Sequence, residues 1–356
     1  MNREQVHACA EQILRGRPLE RAEAAALAEL PAELLPDLFA AASRIREHHR
    51  GRLARCCSIV AARVGACGED CAFCSQSAHY RTPGCRPGEL TAEQVLQAAE
   101  ASAADGAEAF GVVNSGYAPD NGDIERWGRV IRAIRDRGAV RACASMGCLD
   151  ADQARRLAEW GAACYNHNLQ TSRRFFPRIV TTHSYDDRLA TLRHVRQAGM
   201  MVCSGALFGM GETWADRLDL LLELRGLGPD IVPLNFLIPI PGTPLEHQAR
   251  LPAMECLRII ALTRLILPDK EIKVAGGREA CLGDLQSWIF LAGADSFLIG
   301  NYLTTPGRSP AEDRRMVRDL GLTLARPAQP RGGTDQDLPP AAAPAAHPCC
   351  GRIQPV

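Results

Sequence analysis

Eight short apolar stretches recur along this chain, at about 54–62, 107–113, 139–146, 162–168, 200–206, 230–237, 271–275 and 295–299. Between them lie amphipathic segments such as AEQVLQAAEASAADG, DIERWGRVIRAIRDRG and DADQARRLAEWG. The last two end in an arginine or an apolar residue followed by glycine, a normal helix stop. Strands alternating with helices in this way predict an α/β fold, a (β/α)8 TIM-type barrel. A doubly wound open sheet is the alternative, because strand order is not written in a sequence. No GxGxxG turn follows the first strand to favour it.

The alternation occupies residues 51–325 and leaves two flanks. Residues 1–50 are rich in alanine, leucine, glutamate and arginine, which predicts two or three short helices forming a cap over one end of the barrel. Pro31 suits a first turn there, and Leu34, Leu35, Leu38 and Phe39 make a buried face. Residues 326–356 are rich in proline, alanine and glycine and cannot pack a core. They read as a flexible tail carrying Cys349 and Cys350 near its end.

A barrel places its chemistry at the carboxyl ends of the strands. Those ends read GVVNSG, CASMG, YNHNLQTS, CSGALFGMGET, NFLIPIPGTP, GGRE and GNYLTTPGR, all polar, glycine-rich or cysteine-bearing. After the first strand comes CGEDCAFCSQSAHY, with Cys67, Cys71 and Cys74 at C-x3-C-x2-C spacing. Iron–sulfur clusters held by cysteine normally take four thiolates. Three on one loop leave one iron of a [4Fe–4S] cube open to a small molecule, as a radical S-adenosylmethionine (SAM) enzyme needs. A zinc site would want a second C-x2-C or a histidine pair, and none follows at a suitable distance. A disulfide framework does not suit a chain of 356 residues without a signal peptide.

Lysine plus arginine equals aspartate plus glutamate, 41 each, so nothing suggests nucleic acid or another polyanion as partner. No apolar run approaches a membrane span, and MNREQVHACAEQ lacks a signal core. Fifteen cysteines then point to a reducing cytoplasm and to metal or sulfur chemistry.

Several of these motifs together resemble biotin synthase, in the same order and at similar spacing from about residue 40 to 322: CGEDCAFCSQSAHY, YNHNLQTS, VCSGALFGMGET, GGRE and YLTTPGR. The resemblance implies a radical SAM barrel that inserts sulfur into dethiobiotin, drawing it from an auxiliary Fe–S cluster. It implies that Cys67, Cys71 and Cys74 bind the [4Fe–4S] cluster, and that Tyr80, Asn168, Arg188, Gly209, Gly211 and Glu212 lie with SAM. Asn166 and Asn235 match side chains on the ureido ring, and Thr304 and Thr305 the pair on the substrate carboxylate. A reductase with flavodoxin or ferredoxin as electron donor, and a homodimer, are further implications. Gln170 departs from the family, which commonly has an aspartate on the ribose hydroxyls; glutamine binds there without charge assistance.

The usual auxiliary [2Fe–2S] site uses three cysteines and an arginine. Cys143, Cys203 and Arg278 match three of these, but the position on strand two falls at Gly111, which has no side chain to ligate with. Replacements are Cys57, the member of the Cys56–Cys57 pair that alignment turns inward, and the tail pair Cys349 and Cys350. Adjacent strand cysteines serve equally well as small core residues. The expectation is an altered auxiliary cluster, [2Fe–2S] or larger, on Cys57, Cys143 and Cys203 with tail cysteines or Arg278. Cys9, Cys85, Cys148, Cys164, Cys256 and Cys281 receive no role. The rival readings are a single-cluster radical SAM enzyme for another small molecule or metal-cofactor maturation, and a non-enzymatic Fe–S carrier or sensor.

Overall fold

A computed structural model describes residues 1–83, 85–303 and 307–325. Eight parallel strands close on themselves: β1 Leu53–Val64, β2 Ala109–Asn114, β3 Arg141–Ser145, β4 Cys164–Asn166, β5 in two pieces (Met201–Cys203 and Ala206–Phe208), β6 Ile231–Phe236, β7 Glu271–Val274 and β8 Ser296–Leu298. Each pairs with its successor, and β8 returns to β1 through Arg55 opposite Ser296 and Cys57 opposite Leu298. The expected barrel is therefore the fold, and the open sheet is set aside. All eight predicted strands are present within a few residues of their expected positions.

The break in β5 has a local cause. Pro233, inside β6, has no N–H for the ladder, and Gly205 lies against it. A Cβ at Gly205 would stand 1.9 Å from the Pro233 carbonyl oxygen, so only glycine allows this approach.

Helices follow the strands on the outside: α4 Ala92–Ala104, α5 Asn121–Arg137, α6 Ala151–Trp160, α7 Tyr185–Gln197, α8 Trp214–Leu227 and α9 Ala253–Ile266, then short α10 Arg278–Leu282 and α11 Trp288–Leu291, and α12 Pro310–Asp319. Thr91, Asp120, Asp150, Ser184 and Thr213 each begin a helix through a capping box, which fixes where the loop above each strand ends. The core between sheet and helices is apolar, with Trp127, Phe110, Phe208, Phe236 and Phe297 fully buried. None of the helices among the described residues is long and apolar enough to cross a membrane.

The N-terminal helices, α1 Arg3–Leu14, α2 Arg21–Ala28 and α3 Leu35–Arg50, match the expected number. Arg21–Ala28 packs on α8 and α9, Leu35–Arg50 on α9, and Arg3–Leu14 on Leu35–Arg50. Thr323 and Leu324 pair in parallel with Leu53 and Ala54 at the foot of β1. The described residues thus end at the barrel end opposite the functional loops. Cys349 and Cys350, like Thr304 and Thr305, lie outside the described residues.

Candidate active site

The loop after β1 folds back on itself. The Ala78 amide donates to the Cys67 carbonyl at 2.7 Å, and the Cys74 amide to the Cys71 carbonyl at 2.9 Å. Two carboxylates of this loop, Glu69 and Asp70, anchor it to the segment before α7. Asp70 accepts from the Thr181 and Thr182 amides at 2.9 and 3.2 Å, and Glu69 binds the Thr182 hydroxyl at 2.6 Å and the His183 ring. Burial would raise the Asp70 carboxyl, but these threonine hydrogen bonds outweigh it and lower it to about 2. His183 Nε2 meets Arg188 at 2.7 Å, and Arg188 donates to the Asn168 carbonyl at 2.8 Å. One chain of contacts thus connects the cysteine loop to the end of β4.

Cys67, Cys71, Asn166, Asn168, Gln170 and Arg188 line a mouth cavity of about 170 Å³ above the strands. Burial pushes the Cys71 thiol up to about 12 and the Cys74 thiol to about 11, so as free side chains they stay protonated. Iron would displace those protons, since the thiolate is the ligand. Three soft donors on one partly buried loop fit a cluster.

Beneath lies a lumen cavity of about 200 Å³, lined by Cys57, Cys143, Cys164, Cys203, Lys273 and Asn235 among others. Ser145, Asn166 and Asn168 line both cavities and form the boundary between them. Cys57 faces inward as alternation requires, while Cys56 faces out and donates to the Gly106 carbonyl at 3.1 Å. Asn166 Nδ2 donates to the Cys203 sulfur at 3.2 Å and to Asn168 Oδ1 at 3.2 Å. Asn235 donates to the Ala206 carbonyl at 2.9 Å and accepts from the Gly276 amide at 2.9 Å, leaving one donor and one lone pair for a ligand.

The structure corrects one candidate. Arg278 does not line the lumen; its guanidinium is fully buried against Asp313 at 2.8 and 2.9 Å, with Gln286 at 2.9 Å. It opens α10 after the GGRE turn and is directed outward, so it is withdrawn as a cluster ligand. Two cations line the lumen instead, Lys273 on β7 and Arg141 at the start of β3. Lys273 and Cys164 were both missed by sequence reasoning, which looked to motifs at strand ends; period-two counting along β7 and β4 was the available signal.

Gly111 faces the lumen as expected, and Ala109 does too. A Cβ at Gly111 would meet Ile59 Cγ2 at 3.2 Å, a tight fit. Tyr80 closes the loop by donating its hydroxyl to the Asp70 carbonyl and does not line the mouth. Glu212 binds the Gly209 and Met210 amides at 3.0 and 2.8 Å and Arg217 at 2.8 Å. Its carboxylate thus shapes the Gly209–Gly211 turn and does not reach the mouth cavity.

Among the described residues no three histidine, cysteine, aspartate or glutamate side chains converge to chelate one metal ion. A [4Fe–4S] cluster makes a different demand, one thiolate per iron, so its ligands stand apart around a shared centre.

A family model described as the Radical SAM superfamily matches residues 63–224, and one described as the Biotin and Thiamin Synthesis associated domain matches residues 233–323. A protein named biotin synthase from Trichlorobacter lovleyi is 49% identical over 316 residues, covering 88% of this chain and 95% of the relative. Another of that name, from Heliobacterium modesticaldum, is 47% identical over 312 residues, covering 88% and 96%. Among solved structures, methylornithine synthase superposes with a TM-score of 0.79 at 20% identity, over 89% of this chain and 97% of that one. A maturase of the [FeFe]-hydrogenase gives 0.77 at 18%, over 91% and 76%. At such identities these two speak for the fold alone.

Proposed function

This chain belongs to the biotin synthase family of radical SAM enzymes, and from that premise we propose how its residues share the work of inserting sulfur into dethiobiotin. Cys67, Cys71 and Cys74 would hold the [4Fe–4S] cluster at the mouth, leaving one iron for the amino and carboxylate groups of SAM. When bound, that cluster supplies the electron that cleaves the SAM sulfonium and yields a hydrogen-abstracting adenosyl radical.

Asn168 and Arg188 orient SAM over the lumen, supported by their place in the mouth cavity and their mutual hydrogen bond. Tyr80, Gly209, Gly211 and Glu212 act by shaping the loops around it. Asn166 and Asn235 take the ureido ring with donor and acceptor together. Thr304 and Thr305, outside the described residues, take the carboxylate. Cys57, Cys143 and Cys203 hold the auxiliary cluster below, the source of the inserted sulfur. The barrel wall keeps water from the radical.

The observation that carries this division is the boundary itself. Ser145, Asn166 and Asn168 belong to both cavities, so a ligand above the thiol loop and one above the lumen thiols would meet there. We also assign residues 51–325 to the catalytic unit, 1–50 to a helical flank and 326–356 to a tail. A flavodoxin or ferredoxin donor, a homodimer and a cytoplasmic location belong to the same proposal.

Anaerobic incubation with SAM, dithionite and dethiobiotin tests it. The expected products are biotin together with 5′-deoxyadenosine and methionine. Formation of 5′-deoxyadenosine without biotin would return the single-cluster reading to first place.

A further inference from the structure

Cys164 and Lys273 have no part in the division above, yet both face the lumen. β4 runs between β3 and β5, and its register sets Cys164 opposite Cys143 and Asn166 opposite Cys203. Cys164 packs in one small cluster with Cys143 on one side and Cys203 on the other. Three sulfurs therefore form a row across three adjacent strands. Cys57 faces them from β1, and its thiol lies within electrostatic reach of Cys143 and Cys203. Between Cys57 and the row, β2 lines the lumen with Ala109, Gly111 and Val113, none of which carries a side chain able to ligate.

Four thiolates in a buried lumen need positive charge close by. Lys273 is only 7% exposed, and its ion pair with Glu271 is long, at 3.9 Å. The floor around it holds Arg55 and Arg141 against Glu108, at 2.9 and 3.4 Å, with Arg55 also 3.9 Å from Glu271. An ammonium this buried and this loosely paired is unusual in an apolar core, and it is adjacent to Cys57 and Cys203.

We propose that Cys57, Cys143, Cys164 and Cys203 form a complete all-thiolate ligand set for the auxiliary cluster, with Lys273 as its buried counter-charge and hydrogen-bond donor. Neither an arginine ligand nor the tail cysteines are then required. This rests on the biotin synthase reading only in presuming a second cluster. Lys273 acts as a positioning residue, through the charge it sets beside the cluster sulfurs.

The test starts from a chain with Cys67, Cys71 and Cys74 all changed to alanine, reconstituted anaerobically with iron and sulfide. Iron and sulfide content and the Mössbauer spectrum report what remains. The background is expected to keep a cluster; no iron there overturns the lumen site together with this proposal. Adding Cys164→Ser, or Cys164→Ala if serine does not fold by circular dichroism, is expected to lower iron several-fold and alter the spectrum. Full iron with an unchanged spectrum overturns the proposal and leaves the family reading intact. Lys273→Met should weaken retention about tenfold, the range for partners that support metal ligands, and shift the reduction potential; an unmoved potential removes its role. Cutting after Pro340 and, separately, Cys281→Ser should leave the iron unchanged. Lost iron on truncation would bring the tail back as a ligand.

Discussion

At the mouth of the barrel three cysteines stand on one loop from Cys67 to Cys74, whereas in the lumen four come from four different strands, Cys57, Cys143, Cys164 and Cys203. The loop set is adjacent in sequence and depends on tertiary contacts for its shape, through Glu69 and Asp70 to Thr181, Thr182 and His183. The strand set is distant in sequence, but its spacing is set by ladder hydrogen bonds that exist without any ligand. One site can adjust to what it binds, and the other is held by the fold. The difference suits a cluster that admits a substrate molecule at one iron and a second cluster enclosed below it.

The largest effect expected from breaking this separation is at the mouth. Cys71→Ala should abolish 5′-deoxyadenosine formation while the lumen keeps its own iron and sulfide. Parallel loss of both would mean that the two sites are not independent. Arg278→Met tests whether this side chain serves the lumen or only the ion pair with Asp313. Removing one partner of a buried ion pair costs about 3–5 kcal/mol, here by stranding Asp313, which is wholly buried. Thermal unfolding should show that loss, while lumen iron in the folded fraction stays the same. Lower iron at unchanged stability would restore Arg278 as a ligand.

Asp70→Ala addresses the adjustable site. Loss of the clamp to Thr181 and Thr182 should weaken retention of the mouth cluster about tenfold, read as iron content after gel filtration, with lumen iron unaffected. The sign with pH follows from the lowered carboxyl. Asp70 sits at about 2 in the folded chain against about 3.9 for a free aspartate. Its contribution is present above the unfolded value and is lost as pH falls through the folded one. The gap in urea midpoint between the apo wild type and apo Asp70→Ala should thus be constant near neutrality and narrow below about pH 4. A gap that widens on acidification would contradict the clamp.

The same contrast decides what the sequence could reveal. Cys67, Cys71 and Cys74 declare themselves because a loop motif is local, and the eight strands do so because apolar runs between capped helices are local too. Cys164 gives no such signal. It precedes YNHNL as a single thiol, and only the pairing of β4 with β3 and β5 brings it to Cys143 and Cys203. Arg278 misled for the opposite reason: GGRE is a conspicuous turn, but the turn aims the side chain at Asp313, a residue on α12 far along the chain. Lys273 lies on the strand just before that turn, where period-two alternation sets its direction. Register around a closed barrel is a property of all the strands together, and no single stretch of sequence contains it.

Gln170 is the finest test of the comparison, because it lies on the adjustable side of the boundary. It lines the mouth cavity, and its backbone is left-handed, at φ 72°, while its amide donates to the Gly205 carbonyl at 3.2 Å. A non-glycine residue in that region is uncommon, and aspartate and asparagine tolerate it better than longer side chains. Gln170→Asp would relieve the backbone and add a charged acceptor facing the cavity. SAM affinity, measured by equilibrium binding to the cluster-loaded protein, should tighten several-fold, with lumen iron unchanged. Equal or weaker affinity would mean that the ribose hydroxyls are not held from this position.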